Sequence, residues 1–148
     1  MKKEEIINEI IRQLDDRISF LKQSIQAAKE SRDNETKSSV GDKYETGRAM
    51  VQMELEKNQV QLNKTETLKS SLTKIAIDKP SKQVEFGSFV RTTQGQYFIA
   101  IPFGKVEVNG SPVFCISMAS PIGQILAGKR AAARVSFQGK EIEIQEIH

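Results

Sequence analysis

Two carboxylates, Asp42 and Glu45, form the pattern of this 148-residue chain with the most evident chemical use. They are three residues apart in a polar segment, and in a turn or a first helical turn that spacing brings both carboxylates to one side. Hard cations such as Mg²⁺ prefer oxygen ligands and are often held by only one or two carboxylates. We expect this pair to hold Mg²⁺ only jointly with ligands from a partner. Helix capping is the alternative role, because acids favour a helix N-terminus, and the two roles are compatible.

Other charged residues lie around this pair. Lys37, Lys43 and Arg48 flank it and suit contacts with phosphate or with a protein partner, although a solvated mixed-charge loop explains them equally well. Asp33 and Glu35 lie in the same segment and add negative potential there, with no further role evident from the sequence.

The scarcity of other reactive side chains argues against several classes of protein. His148 is the single histidine and the last residue, so a hydrolase triad would need a chain end that we expect to be frayed. Cys115 is the single cysteine and lies in an apolar run, where we expect a buried side chain. The net charge of +3 is too small for a protein that binds nucleic acid through charge alone. Without an apolar run of about 18 residues or a signal peptide, we expect a cytoplasmic protein with no membrane contact.

Apolar spacing predicts two long helices in the first half of the chain. Alternating steps of four and three residues indicate a coiled-coil seam on a helix over about residues 3–32. These seam positions are Ile7, Ile11, Leu14, Ile18, Leu21, Ile25 and Ala28. Turn-forming residues follow over 31–41, and a second helix is expected from Tyr44 or Thr46 to Ile75. Its less regular apolar set includes Met50, Met53 and Val60, while Asn58 and Thr65 occupy positions where the seam would be apolar. The two helices predict an antiparallel hairpin over residues 1–76, with its acidic tip near 33–46.

The second half has the alternation of β-strands. A linker over residues 77–83 contains Pro80, which stops a helix, and an α+β domain over 84–148 is predicted to have five or six strands. The first strand is expected within residues 84–90. One short helix is expected inside this domain, because Ser120 can cap it, Pro121 suits its first position and Gly128 can close it.

At two places the residues resemble the Gre family of bacterial transcript-cleavage factors. Residues 116–129, Ile-Ser-Met-Ala-Ser-Pro-Ile-Gly-Gln-Ile-Leu-Ala-Gly-Lys, resemble the family's C-terminal signature, in which Ser120, Pro121, Gly123 and Gly128 shape a short helix. Residues 41–45, Gly-Asp-Lys-Tyr-Glu, resemble its Gly-Asp-x-x-Glu hairpin tip. The tip departs from the family at Lys43, where an apolar residue is usual, and at Thr46, where Asn is usual. The resemblance spans nearly the whole chain and implies a helical hairpin followed by an FKBP-like domain, α+β in class.

The resemblance also implies a function. The hairpin would enter the secondary channel of RNA polymerase, where Asp42 and Glu45 would help hold a Mg²⁺ ion shared with the polymerase active site. The polymerase would then cleave the nascent RNA 3′ end of a backtracked complex, so the chain would be an accessory factor rather than an enzyme. Lys37, Lys43 and Arg48 would contact RNA or polymerase. We expect a monomer, because the hairpin satisfies its own seam.

Three other functions remain open at this point. The altered residues of the tip are compatible with a relative that enters the same channel and inhibits or modulates polymerase without cleavage. An FKBP-like domain is compatible with a peptidyl-prolyl isomerase or chaperone. A coiled-coil adaptor explains the heptads but explains neither the tip motif nor the Ser-Pro-Ile-Gly segment.

Overall fold

The computed structural model describes the backbone of residues 1–37 and 41–148 and the side chains of residues 1–34 and 46–148. The chain divides into two compact units. The hairpin unit comprises Arg12–Lys69, and the sheet unit comprises Met1–Ile11 together with Ser70–His148. The fold class predicted from the sequence is confirmed, because two long helices precede a domain of mixed strands and helix.

Near the tip, helix α1 ends later and helix α2 begins earlier than the sequence predicts. Helix α1 spans Lys3–Lys37 and helix α2 spans Gly41–Thr73. The prediction of turn structure over 31–41 was therefore wrong for 31–37 and for 41. Residues 31–37 are polar, but none is Gly or Pro, so none costs more than about 0.7 kcal/mol in a helix relative to alanine. The connecting residues 38–40 lie outside the described part of the chain.

The predicted apolar seam of α1 is confirmed, whereas the seam of α2 includes only some of the apolar residues that the sequence suggested. On α1, Leu14, Leu21, Ile25 and Ala28 are buried. Leu55 on α2 packs against this row, with Val51 and Leu62 beside it.

The α2 seam then continues through a polar residue. Thr65 is only 3% exposed, and its hydroxyl donates to the carbonyl of Gln61 at 2.7 Å. By contrast Met50, Met53 and Val60, which the sequence suggested as core, are exposed. A heptad row through Val51, Leu55 and Leu62 leaves Met53 and Val60 on the opposite side of the helix, which is the physical reason.

Polar contacts within the hairpin unit show that the two helices run antiparallel. Lys69 Nζ lies 2.7 Å from a carboxylate oxygen of Asp15, near the start of α1 and the end of α2. Arg32 donates to the side-chain oxygen of Gln52 at 3.5 Å, toward the other end of both helices. The predicted antiparallel hairpin is therefore confirmed.

The sheet unit contains a six-stranded sheet. Its strands are β1 (Phe89–Thr92), β2 (Gly95–Ile99), β3 (Gly104–Val108), β4 (Ser111–Ile116), β5 (Arg134–Phe137) and β6 (Lys140–Ile147). Their order across the sheet is β3-β4-β2-β1-β6-β5. Only the β2–β4 pair is parallel among these neighbours, and the other four pairs are antiparallel. The predicted turn after β3 is confirmed at Asn109-Gly110, where both residues have positive φ, as the favoured two-residue hairpin turns require.

The expected strand within residues 84–90 begins only at Phe89. Val84 is buried, but it exchanges backbone hydrogen bonds with the 128–129 segment rather than with a strand. Gly87 follows with φ +91°, and a Cβ there would lie 3.1 Å from the side chain of Ile75. The positive φ takes the chain out of extended geometry, so the prediction was wrong for 84–88.

The core of the sheet unit lies between the sheet and one short helix, α3 (Pro121–Leu126). Leu126 of α3 packs with four buried residues from the sheet and its flanks: Val84, Val90, Ile99 and Ile144. Strand residues that alternate with these, such as Phe89 and Phe98, are also buried, and so are Ile6, Ile10 and Leu72 of the helix ends. The start of α1 and the end of α2 thus belong to the hydrophobic interior of this unit.

Candidate functional site

The backbone places the acidic pair at the start of a helix. Asp42 and Glu45 fall in the first turns of α2, which begins at Gly41. Positions three apart on a helix are neighbours on its surface, with Cβ atoms about 5–6 Å apart. Their side chains, with those of Glu35, Lys37 and Lys43, lie outside the described residues.

Around the pair, the described side chains are mostly open to solvent. Thr46, Arg48 and Ala49 are exposed, and Met50 continues that exposed surface. Asp33, on the last turns of α1, is exposed and lies 3.7 Å from the guanidinium of Arg32. The exposed side chains that follow the pair along α2 are compatible with either role predicted for the acids, partner binding or stabilisation of a helix N-terminus.

The exposed methionines were missed by the sequence interpretation. Met53 is 70% exposed, and Met50 and Val60 are also exposed on α2. The available signal was the heptad phase itself, since a seam carried through Asn58 and Thr65 turns Met53 outward. The apolar character of these side chains suggested burial, but the heptad positions of Met53 and Val60 place them on the face opposite the seam.

Residues 116–129 contain the short helix α3, and a residue of the same segment caps its N-terminus. Ser120 is the N-cap, with φ −66° and ψ 155°, and Pro121 follows it in the first turn. The Ser120 hydroxyl accepts from the backbone N–H of Gly123 at 3.0 Å and donates to the carbonyl of Ser117 at 2.7 Å. One side chain therefore satisfies a helix donor and closes the turn before the helix.

Gly123 is required there by space rather than by backbone conformation. A Cβ at this position would lie 2.3 Å from the carbonyl oxygen of Ser117 and 2.8 Å from the Ser120 hydroxyl. Gly128 is required for the other reason, because its φ is +72° just after the helix and no atom lies near its missing Cβ. Its N–H donates to the carbonyl of Val84 at 2.8 Å, which joins the helix end to the segment before β1. The motif thus has a complete structural explanation in the described residues.

The isolated reactive residues have structural surroundings. The Cys115 thiol is buried and donates to the carbonyl of Ile101 at 3.3 Å, and burial raises its pKa to about 11. His148 exchanges two backbone hydrogen bonds with Phe89, at 2.8 and 2.9 Å, so the expectation of a frayed end was wrong. Its ring lies 3.1 Å from a carboxylate oxygen of Glu146. The pairing with β1 supplies the physical reason for the order of this residue.

Within the described side chains, no group of three or more His, Cys, Asp or Glu residues is arranged to hold a metal ion. Of the helices in the described ranges, none combines the length and the apolar character that a membrane span requires.

Tyr97 and Phe114 form a tilted aromatic pair on adjacent strands, with ring centroids 5.9 Å apart. Burial raises the pKa of the Tyr97 hydroxyl.

Comparison with known proteins gives a likeness of fold. No sequence model of a protein family matches the chain, and no curated protein matches it. Among solved structures the chain is similar to that of the transcription factor Gfh1, with 18% identity and a TM-score of 0.36. The alignment covers 96% of this chain and 92% of that chain. At this score the likeness carries no functional argument, and the case for function rests on the motifs and elements of the chain itself.

Proposed function

We propose that this chain binds bacterial RNA polymerase and stimulates cleavage of backtracked RNA by the polymerase active site. The observation that carries the proposal is the place of Asp42 and Glu45 at the start of the second helix of an antiparallel hairpin. The resemblance of residues 41–45 and 116–129 to the Gre family supports the same function.

The hairpin unit suits a probe that must reach a buried site. From Arg12 to Lys37, α1 has a length of about 39 Å at 1.5 Å per residue. The row of Leu21, Ile25, Ala28 and Leu55 is buried between the two helices. Because the seam is satisfied within the chain, the hairpin does not need a second copy to be stable.

The two acids suit a shared ion better than one of their own. Mg²⁺ favours near-octahedral oxygen coordination, and two carboxylates supply only part of it. A bound Mg²⁺ would stabilise negative charge on phosphate and lower the pKa of a bound water. In the proposal, Asp42 and Glu45 supply oxygens and orient that water, while polymerase and RNA supply the remaining ligands. Lys37, Lys43 and Arg48 contact RNA phosphate or polymerase beside them.

The tip chemistry also favours a second candidate, a channel regulator that does not stimulate cleavage. Lys43 lies in sequence between the two acids, and Thr46 follows where the family usually has Asn. A lysine beside two carboxylates competes with a cation for them. Such a protein would slow transcription on any template instead of rescuing arrested complexes.

The decisive experiment measures RNA shortening in a stalled, backtracked elongation complex with Mg²⁺ present. The test variant is Asp42→Asn with Glu45→Gln, which keeps side-chain size and removes both negative charges. The matched control is Asp33→Asn, which removes the negative charge of an exposed α1 residue outside the pair. We expect the double variant to bind polymerase normally and to lose at least about tenfold in cleavage rate, equivalent to about 1.4 kcal/mol.

Two results separate the candidates. If the wild type binds polymerase and leaves the transcript intact, the non-cleaving regulator is correct. If the wild type does not bind polymerase at all, both candidates are wrong.

A further inference from the structure

A small cavity in the sheet unit contains more positive charge than its surroundings neutralise. Its volume is about 300 Å³, at the lower end of the range of small-molecule sites. Its lining includes Lys3, Lys74, Lys79, Ser81, Glu85 and Phe86. Three lysines and one glutamate therefore line one space.

Lys3 is the unusual member of this group. It is only 8% exposed, whereas lysine is almost never buried without a partner. Its ammonium donates to the backbone carbonyl of Lys79 at 3.3 Å, a long hydrogen bond. Within the described part of the chain it has no carboxylate within 4 Å. Burial lowers the pKa of Lys3, and the nearby charge of Glu85 only opposes that shift.

The other residues complete a site with two kinds of surface. Lys74 and Lys79 are exposed, so their ammonium groups are free to move toward a ligand. Phe86 is 47% exposed and lines the same cavity. Lysines and an aromatic residue in the lining of one cavity match a ligand with both anionic and planar parts.

We propose that this cavity binds a nucleotide, with its phosphates near the three lysines and its base against Phe86. Lysine is a common phosphate ligand that acts as a point charge. Aromatic rings stack on bases irrespective of their identity, because every base has a π-face. Glu85 and Ser81 would accept from ribose hydroxyls or from a base amine, which explains a carboxylate in a cationic site. The bound phosphate would supply the charge partner that Lys3 lacks.

Calorimetric titration of the full chain, without polymerase, tests this proposal with three probes. ADP carries phosphates and a base, adenosine carries the base alone, and inorganic pyrophosphate carries the charge alone. We expect saturable binding of ADP and at least tenfold weaker binding of the two partial probes. This outcome does not depend on the proposed transcription function, because polymerase is absent from the assay.

Variants locate the site. Lys74→Gln and Phe86→Ala, both at exposed positions, should each weaken ADP binding about five- to tenfold, while Lys140→Gln on β6 should leave it unchanged. Lys3→Met should abolish binding, with an unchanged far-UV spectrum as the folding control. Absence of ADP binding at millimolar concentration would overturn the proposal. So would equal affinity in wild type, Lys74→Gln and Phe86→Ala, or pyrophosphate binding as tight as that of ADP.

Discussion

The close contact at Gly123 predicts that its change to alanine will destabilise the sheet unit. The added Cβ would lie 2.3 Å from the backbone carbonyl oxygen of Ser117, which cannot move without displacing the turn before α3. Relief of such overpacking costs about 1–3 kcal/mol. The Ser120 cap lies 2.8 Å from the same Cβ, and its loss costs about 1 kcal/mol. Alanine recovers about 1 kcal/mol of helix propensity, so the net loss should be about 2 kcal/mol.

Urea denaturation followed by far-UV circular dichroism, with the tyrosine signal as a second probe, measures this loss. Gly128→Ala is the matched control, because that position has open space but a φ of +72°, so only backbone strain of about 1–2 kcal/mol is expected. Ser120→Ala isolates the cap. The double variant of Ser120 and Gly123 should be more stable than the sum of the single losses predicts, because it removes one of the clashing atoms. If Gly123→Ala unfolds within about 0.5 kcal/mol of wild type, steric closure does not explain this glycine.

Three further predictions concern stability and reactivity. Leu55→Ala should destabilise the hairpin unit by about 2–4 kcal/mol in thermal denaturation, whereas Met53→Ala should change it by less than about 0.5 kcal/mol; similar losses would mean that the seam is wrongly placed. The pKa of Lys3 in the folded protein lies below its usual 10.5, so between the two values the unfolded chain binds more protons than the folded chain. The free energy of unfolding should therefore rise with pH in that interval. Lys3→Met should reduce this pH dependence, and an equal slope in both proteins would refute the burial of Lys3. With a pKa of about 11, the Cys115 thiol should be ionised in only about one molecule in a thousand at pH 8, so disulfide reagents should modify it slowly until urea unfolds the chain; a native rate like that of a free thiol would contradict its burial.

Local chemistry made part of this structure predictable. Helix α3 follows from the cap at Ser120, the proline after it and Gly128 beyond its end, all within nine residues of sequence. The seam of α1 follows from one regular row of apolar residues. In both cases the residues that decide the structure are close in sequence, so no knowledge of the fold was needed.

The remaining features depend on partners distant in sequence. The outward position of Met53 is set by which face of α2 packs against α1. That face was difficult to identify from the sequence because it includes Thr65, a polar residue whose buried hydroxyl donates to a carbonyl of its own helix. The limited space for a side chain at Gly87 is set by Ile75, from the segment after α2. Burial of Lys3 depends on Lys79, 76 residues later.

At the candidate tip, the sequence indicated the acidic pair and its place near the hairpin end. Its spacing suggested a common direction, and the backbone adds a helical start at Gly41. Metal sharing and polymerase binding depend on another molecule, and no pattern within one chain contains that partner. Those roles remain predictions.

The division of the chain gives the hairpin the character of an insertion. The sheet unit is interrupted after Ile11 and resumes at Ser70, and Lys69 and Asp15 are bridged near this junction. Removing or adding one heptad in each helix would preserve the alternation of the seam and leave the interrupted unit unchanged. Each such step alters the length of the hairpin unit by about 10 Å. Evolution or engineering can therefore change the length of this unit in fixed increments without a change in the sequence of the sheet unit.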